Sequence, residues 1–320
     1  MTLRAYTASD ATLKVYRFNI PAQPVQSGNG ACPGLVSPSV ASALNPSGAD
    51  PEGLTVVKGK VVVISEDDGA LGKYSEGLNT PSTPPVEQIT NFRNTSPRFG
   101  TEAALGYNSQ NSTLYNLQAD DLSAGDKSVL YFKKLPLPGN GQTIQFQARP
   151  AKPQYADGLG INGNGLALAS SGRNISASNP AGIYRLSLSN GALTLVSNQS
   201  ASNRLGVNQD TGADFVPGQN GTLYILAEKG AFFRYTNFNA TTGAGGTLTK
   251  LCTAALTSQP GETADSDFEG LATINETIAS NPEAPFTFAS LTGIDFGLAA
   301  PIAAGIVLGG LGTLVKKLYK

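Results

Sequence analysis

Histidine and tryptophan are absent from this 320-residue chain, and cysteine occurs only twice, at Cys32 and Cys252. Without an imidazole there is no Ser-His-Asp or Cys-His catalysis, no His-ligated zinc and no histidine general base. Any catalysis therefore falls to carboxylates, Lys, Tyr or a hard cation held by oxygen ligands. Two cysteines this far apart make neither a metal-ligand spacing nor a redox motif. They form a disulfide or are two small buried residues, and the sequence leaves both open. Charge is scarce as well. Charged residues make up 14% and the formal net charge is -1, so there is no basic surplus to neutralise phosphates and nucleic acid is excluded as a partner class.

What the chain has in quantity is glycine (37) and proline (20), beside 40% hydrophobic residues. That much apolar content argues against disorder. The composition suits many short strands joined by many turns. A weak repeat agrees. Asp50-Pro51-Glu52-Gly53-Leu54, Gly100-Thr101-Glu102-Ala103-Ala104, Tyr155-Ala156-Asp157-Gly158-Leu159, Thr211-Gly212-Ala213-Asp214-Phe215 and Asp267-Phe268-Glu269-Gly270-Leu271 are variants of one phrase. Their acidic anchors at 52, 102, 157, 214 and 269 are spaced by 50, 55, 57 and 55 residues. A period of that size built from short strands marks a β-propeller with one blade per repeat.

The expected fold class is therefore all-β, a β-propeller of five blades over residues 1–274. A sixth is open if residues 1–45 or 115–150 hold one. Strand pairs are expected at 54–57 with 61–65, at 103–107 with 112–117, at 158–161 with 166–169, and at 213–216 with 222–227. The last copy stops after Ile274, which predicts that the strand at 13–18 completes its blade from the other chain end. Such closure would bring Cys32 and Cys252 together, and a disulfide there would lock it. Residues 76–98 and 275–292 read as loops. Seven Asn-x-Ser/Thr sequons, at Asn94, Asn111, Asn174, Asn198, Asn220, Asn239 and Asn275, mark polar loops.

Since the first strand of each blade lines the central channel, Glu52, Glu102, Asp157, Asp214 and Glu269 are expected to ring one mouth. Converging carboxylates need a hard cation such as Ca²⁺ or hydrogen bonds from backbone N–H groups. Alternatively each acid ties down a neighbouring blade, and recurrence in every repeat favours that packing role. A second set is less regular. Glu66 and Glu228 both follow second strands, Asp265 and Asp267 precede the last anchor, and Lys229 and Arg234 are available to pair with an anionic substrate.

The stretches DPEGLTVVKGKVVVISEDDGALGKY and DSDFEGLATI resemble the Asp-x-Glu-Gly-Leu phrase of esterase-like and phytase-like propeller domains, and of the similar SdiA-regulated group. The resemblance spans about residues 45–275. It implies a calcium-associated propeller, in some members a phosphoester or ester hydrolase, with Glu52, Glu66 and Glu269 carried over and Asp50 and Asp267 beside them.

Residues 296–315, FGLAAPIAAGIVLGGLGTLV, carry no charge and are followed by Lys316-Lys317-Leu318-Tyr319-Lys320. A helix of that length is about 30 Å long, the thickness of a bilayer core, and lysines flank the cytoplasmic end of such spans. The expectation is a linker at 275–295, a transmembrane helix at 296–315 and a basic cytoplasmic tail at 316–320. With Pro282-Glu283-Ala284-Pro285 ahead of it, this tail is similar to a PEP-CTERM sorting signal. No apolar signal-peptide core precedes the first strand. The Asn/Ser/Gly-rich surface points to a propeller outside the cytoplasm, at the cell surface or in the periplasm, whose leader is not in this chain. Three functions are open: a membrane-anchored propeller binding a ligand or partner at its channel mouth, a Ca²⁺-dependent hydrolase, and a structural envelope protein.

Overall fold

The computed structural model describes residues 2–9, 14–40, 51–57, 59–65, 71–75, 102–119, 128–134, 145–146, 155–199, 205, 209–255 and 267–275. Met1–Ser280 form one compact unit and Asn281–Lys320 a second. Glu66, the loop at 76–98, the linker beyond Asn275, the apolar segment at 296–315 and the basic tail lie outside the described residues. No helix among the described residues is long and apolar enough to cross a membrane.

The described chain is all-β apart from one 3-10 turn at Val25–Gly28. Its strands are β1 (Leu3–Ser9), β2 (Lys14–Asn19) and β3 (Val36–Val40), then β4 (Pro51–Val57), β5 (Lys60–Ser65) and β6 (Leu71–Ser75). Next come β7 (Glu102–Asn108), β8 (Thr113–Ala119), β9 (Ser128–Lys134) and β10 (Gln145–Phe146). The chain continues through β11 (Gly158–Ile161), β12 (Ala167–Ser171), β13 (Gly182–Leu186) and β14 (Leu193–Asn198). It closes with β15 (Thr211–Phe215), β16 (Thr222–Ala227), β17 (Ala231–Thr236), β18 (Thr247–Thr253) and β19 (Phe268–Asn275).

These strands make five antiparallel sheets. Blade I is ordered β19-β1-β2-β3; blade II holds β4–β6, blade III β7–β10, blade IV β11–β14 and blade V β15–β18. The first strands pack in a ring, with β19 beside β4, β4 beside β7, β7 beside β11, β11 beside β15 and β15 beside β19. Five sheets radiating from a ring of inner strands are a β-propeller with five blades among the described residues. The 115–150 segment holds β9 and β10, which complete blade III rather than begin a sixth blade.

Blade I joins both chain ends, with one correction. The strand beside β19 is β1, and the expected strand at 13–18 lies one place further out as β2. Polar Thr7 and Ser9 hid β1 from a reading based on apolar alternation, yet both are 0% exposed. Thr7 pairs its hydroxyl with the carbonyls of Glu269 (3.1 Å) and Gly270 (2.9 Å), which satisfies the buried group. Two sequons also fall in strands: Asn198 ends β14 and Asn275 ends β19.

The two inner strands of blades IV and V, β11 with β12 and β15 with β16, are buried on both faces. In β16, Leu223, Ile225 and Ala227 face a cluster with Leu168 and Ile183 of blade IV. Tyr224 and Leu226, on the other side of the pleat, join Phe18, Phe268 and Leu271 of blade I. Burying each large side chain contributes about 1.5–3 kcal/mol. At the seam of blades V and I, Phe18 meets Phe232 edge-on with ring centroids 4.9 Å apart, and Phe232 stacks on Tyr224 at 5.7 Å.

The same seam carries a covalent latch. Cys32, in the connection from β2 to β3, is bonded to Cys252 of β18 across 220 residues, their Cα atoms 5.0 Å apart. The connection lies along β18 as a short parallel bridge, with Cys32 N–H donating to Thr253 O and Thr253 N–H to Gly30 O, both at 2.9 Å. We expect Cys252→Ser to lower stability by about 2–4 kcal/mol, measured as a drop in the urea midpoint. An unchanged midpoint would mean that the aromatic seam holds the ring without the bond.

Candidate functional site

The two ends of the inner strands differ in chemistry. At the end where these strands enter, Glu52, Asp157 and Glu269 are each at most 7% exposed, and Glu102 stands first in β7 with its side chain outside the described ones. Asp157 Oδ1 accepts a hydrogen bond from Thr211 Oγ1 at 2.5 Å, and Thr211 Oγ1 lies 2.7 Å from Ser170 Oγ. That acid stitches blade IV to blade V.

The glycine of the repeated phrase explains why this end is tight. A Cβ on Gly212 of β15 would lie 2.2 Å from the Gly270 carbonyl carbon, and one on Gly270 would lie 2.2 Å from Glu52 O. Gly270 also adopts φ +61°, at the bulge where β1 pairs with β19. On blade IV, a Cβ on Gly158 would meet Thr211 O at 2.8 Å. Backbone thus packs on backbone, and the phrase serves the closing of the ring.

Just outside these glycines lies a fixed polar network. Arg173 forks onto Asp210, Nε to Oδ1 at 2.8 Å and Nη2 to Oδ2 at 2.6 Å. Tyr155 donates its hydroxyl to Asp210 Oδ1 at 3.1 Å, and its ring lies 5.3 Å from the guanidinium carbon. Glu228 accepts from the Asp210 amide at 3.3 Å. Burial first, then repulsion from Asp210 and Asp267, pushes the Glu228 carboxyl above its usual range, with Lys229 and the Asp210 N–H working against the shift. Arg234 is elsewhere, donating to Ala22 O at 2.9 Å. Among the described residues no three His, Cys, Asp or Glu side chains gather to hold a metal ion; Glu66 and the Glu102 side chain lie outside them.

Asp214 is not at this end. In β15 the place of the acid is taken by Thr211, and Asp214 stands three residues further on, 3% exposed. Its Oδ2 accepts both the amide N–H (2.7 Å) and the hydroxyl (3.2 Å) of Thr273 in β19. The Thr55 side chain of β4 also hydrogen-bonds the carboxyl. Because β19 lies between β15 and β4 in the ring, a carboxyl of β15 that reaches Thr55 of β4 as well as Thr273 of β19 projects into the space the inner strands enclose. Burial holds its pKa well above the usual carboxylate range, and the hydrogen bonds from Thr273, Phe215 and Thr55 offset only part of the shift.

Above this carboxyl a cavity of about 340 Å³ opens among the far ends of the inner strands. Blade II contributes Val56 and Gly59, blade III Tyr107 and Ser109, blade IV Ile161 and Gly163, and blade V Phe215 to Gly218. The turns that form the rim are fixed by their own residues. Val216-Pro217-Gly218-Gln219 has Pro at i+1 and Gly at i+2 with φ +79°, closed by Gln219 N–H to Val216 O at 2.9 Å, a type II signature. Asn162 accepts the amides of Asn164 (3.0 Å) and Leu166 (2.9 Å) and donates from Nδ2 to Asn220 O at 3.3 Å, joining two neighbouring turns. A broader groove of about 700 Å³ lies against β13, lined in part by Asn164, Arg185, Asn190 and Thr241. It draws on two blades, whereas the mouth draws on four.

The sequence missed Thr55, Thr273, Tyr155, Arg173 and Asp210. One signal was available: aligning the copies on Gly158, Gly212 and Gly270, rather than on the acids, places Thr211 beside Asp157 and Glu269 and exposes Asp214 as the odd residue.

No protein-family model matches the chain, and it matches no curated protein. The resemblances to phytase-like propellers and to PEP-CTERM tails thus gain no support from a family model. Among solved structures, the chain is similar to an engineered GH43 glycoside hydrolase with endo-xylanase and exo-arabinofuranosidase activity, at 14% identity and TM-score 0.42 over 65% of this chain and 42% of that one. It is also similar to a structure reported for GH130 glycoside hydrolases that target β-1,2 mannosidic linkages in Candida mannan, at 11% identity and TM-score 0.43 over 80% and 87%. A third is KlAtg21 in complex with the coiled coil of AgAtg16, at 8% identity and TM-score 0.36 over 76% and 66%. The chain therefore spans less than half of the GH43 chain and just under two thirds of KlAtg21. All three scores lie below 0.5, and the propeller rests on the strand topology itself.

Two outcomes follow. Gly270→Ala should destabilise the propeller by at least about 2 kcal/mol, from overpacking against Glu52 O and a left-handed φ, read by chemical denaturation; a smaller cost would show that the ring end can relax. Asp214→Asn should change the pH dependence of stability. A raised folded-state pKa gives stability that is full below the unfolded value, about 3.9, and is lost as pH rises toward the folded value. The melting temperature of Asp214→Asn relative to the parent should therefore climb between pH 4 and pH 8, and a constant difference would contradict it.

Proposed function

We propose that the protein is a ligand-binding propeller, anchored in a membrane by residues 296–315 with the propeller outside the cytoplasm, that takes a small ligand at the channel mouth above Asp214. The observation that carries this reading is the cavity itself. Four blades lend their turns to it, and the buried Asp214 is among the residues that line it. At about 340 Å³ it is near the lower limit of small-molecule sites. The opposite end supports the same reading, since inner-strand backbones meet there at distances that leave no room for a Cβ. The anchor rests on the uncharged segment and its lysine flank, and the placement outside the cytoplasm on the polar surface composition together with the Cys32–Cys252 bond.

The test is a small-molecule screen by ligand-observed NMR on the parent and on Ser109→Trp. Ser109 is exposed at the rim, so the indole closes the mouth without entering the core. Hits should disappear in Ser109→Trp. Hits that persist there would place the site elsewhere. Phosphoester or ester turnover that requires Ca²⁺ and is lost in Glu52→Gln would instead assign the function to the opposite end and favour the hydrolase. For the anchor, the full chain should sediment with membranes and resist carbonate extraction, while a chain ending at residue 290 should not.

A further inference from the structure

The mouth has an electrostatic feature that names the class of its ligand, on the reading that the mouth is where a ligand binds. Of the described residues that line it, Asp214 carries the only acidic side chain and none is Lys or Arg; Lys58 and the Lys60 side chain, on either side of Gly59, lie outside the described ones. The rest of the wall is apolar or aromatic (Val56, Tyr107, Ile161, Val216, Pro217) with the hydroxyls of Thr55 and Ser109. The groups hydrogen-bonded to the Asp214 carboxyl are the Thr273 and Phe215 backbones and the Thr273 and Thr55 side chains, all neutral. A carboxyl taken out of water without a cation beside it keeps its proton, and a positively charged guest would favour its ionised form.

Among the described residues the groups acting on the Asp214 carboxyl are hydrogen-bond donors and none is a charged side chain. Directly across the ladder from Asp214 stands Tyr224 of β16, a neutral phenol whose pKa burial pushes further up. On the other inner strands, β4, β7 and β19 carry the acids Glu52, Glu102 and Glu269, Asp157 immediately precedes β11, and all four are at the opposite ends. Tyr107 at the rim provides an aromatic face of the kind that attracts ammonium groups.

We propose that the channel mouth binds a small organic ammonium ion, its alkyl groups against Val56, Ile161, Val216 and Tyr107 and its charge directed down the axis to Asp214. Size and sign both enter. The cavity suits a ligand of few heavy atoms, and an anion of the same shape would meet the Asp214 carboxyl with no cation among the described lining residues to hold it.

Three probes of nearly one shape separate these terms: choline, its neutral carbon analogue 3,3-dimethylbutan-1-ol, and the anion 3,3-dimethylbutanoate. Titrated by NMR against the full chain, choline should bind at least about tenfold more tightly than the alcohol, the gain expected of one charged hydrogen-bonding contact. The carboxylate should bind more weakly than both. Asp214→Asn should bring choline to the affinity of the alcohol, while Ser109→Trp should remove both. Equal affinities for choline and the alcohol on the parent, or a preference that survives in Asp214→Asn, would overturn the ammonium assignment and leave the mouth standing as a binding site. The comparison on the parent holds even if a variant misfolds. Choline binding that survives Ser109→Trp would overturn the mouth itself, and failure of all three probes to bind at millimolar concentration would overturn the ammonium class while the wider screen decides the mouth.

Discussion

The structure depends on how closely its inner strands approach at one end of the channel. Gly212, Gly270 and the Glu52 carbonyl stack so tightly that no Cβ fits at either glycine. Five blades leave a narrower axis than a larger ring would, so the first strands must pack almost backbone to backbone. Any side chain at these positions would spread the ring and loosen the clusters between blades I and II and between blades V and I. The acids next to these glycines belong to the same device. Asp157 is bound by Thr211 of the adjoining blade, and the Glu269 carbonyl receives the Thr7 hydroxyl, so this part of the phrase ties strand to strand.

Closing the ring is a separate problem, met at the seam of blades V and I. There the chain ends pair as β1 and β19, the Phe18–Phe232–Tyr224 stack fills the interface, and the Cys32–Cys252 bond ties the β2–β3 connection to β18. The three act on different scales. The strand pair sets register, the aromatic stack excludes water, and the bond limits how far the blades separate in the unfolded chain. Arg234, read in sequence as a partner for an anionic substrate, belongs to this seam through its hydrogen bond to Ala22 O.

Much of the fold was legible because the repeat is enforced by packing. The period pointed to the right elements, and the turns between their strands form locally: Asn162 by its own side chain, Pro217 and Gly218 by their backbone preferences. Strand β1 was not legible, because Thr7 and Ser9 look solvated and are buried, Thr7 with partners 262 and 263 residues away. The site was less legible still. Asp214 matched the pattern as an acid in the right repeat, and only its distance from Gly212 separated it from Asp157 and Glu269. Tyr155, Arg173 and Asp210 become a unit through a meeting of blades IV and V that no local pattern encodes.

That misplacement bears on function. A residue repeated in every blade is selected by what every blade must do, which here is to pack against its neighbours. A residue that breaks the repeat answers to something local, and departures from a rule the rest of a structure obeys are where function is found. Asp214 is such a departure. An acid sits where glycine stands in β11, Gly160, whose own Cβ would lie 3.1 Å from Asp214 Cα. It puts a carboxyl in the lining of the cavity, where packing alone would place an apolar side chain, and it is held there by Thr55 and Thr273 from two further blades. A buried carboxyl without a counter-ion lowers the stability of the empty protein, and such a cost persists where occupancy offsets it. The repeated glycines and the Asp157 carboxylate therefore account for the ring, and the irregular acid accounts for the mouth.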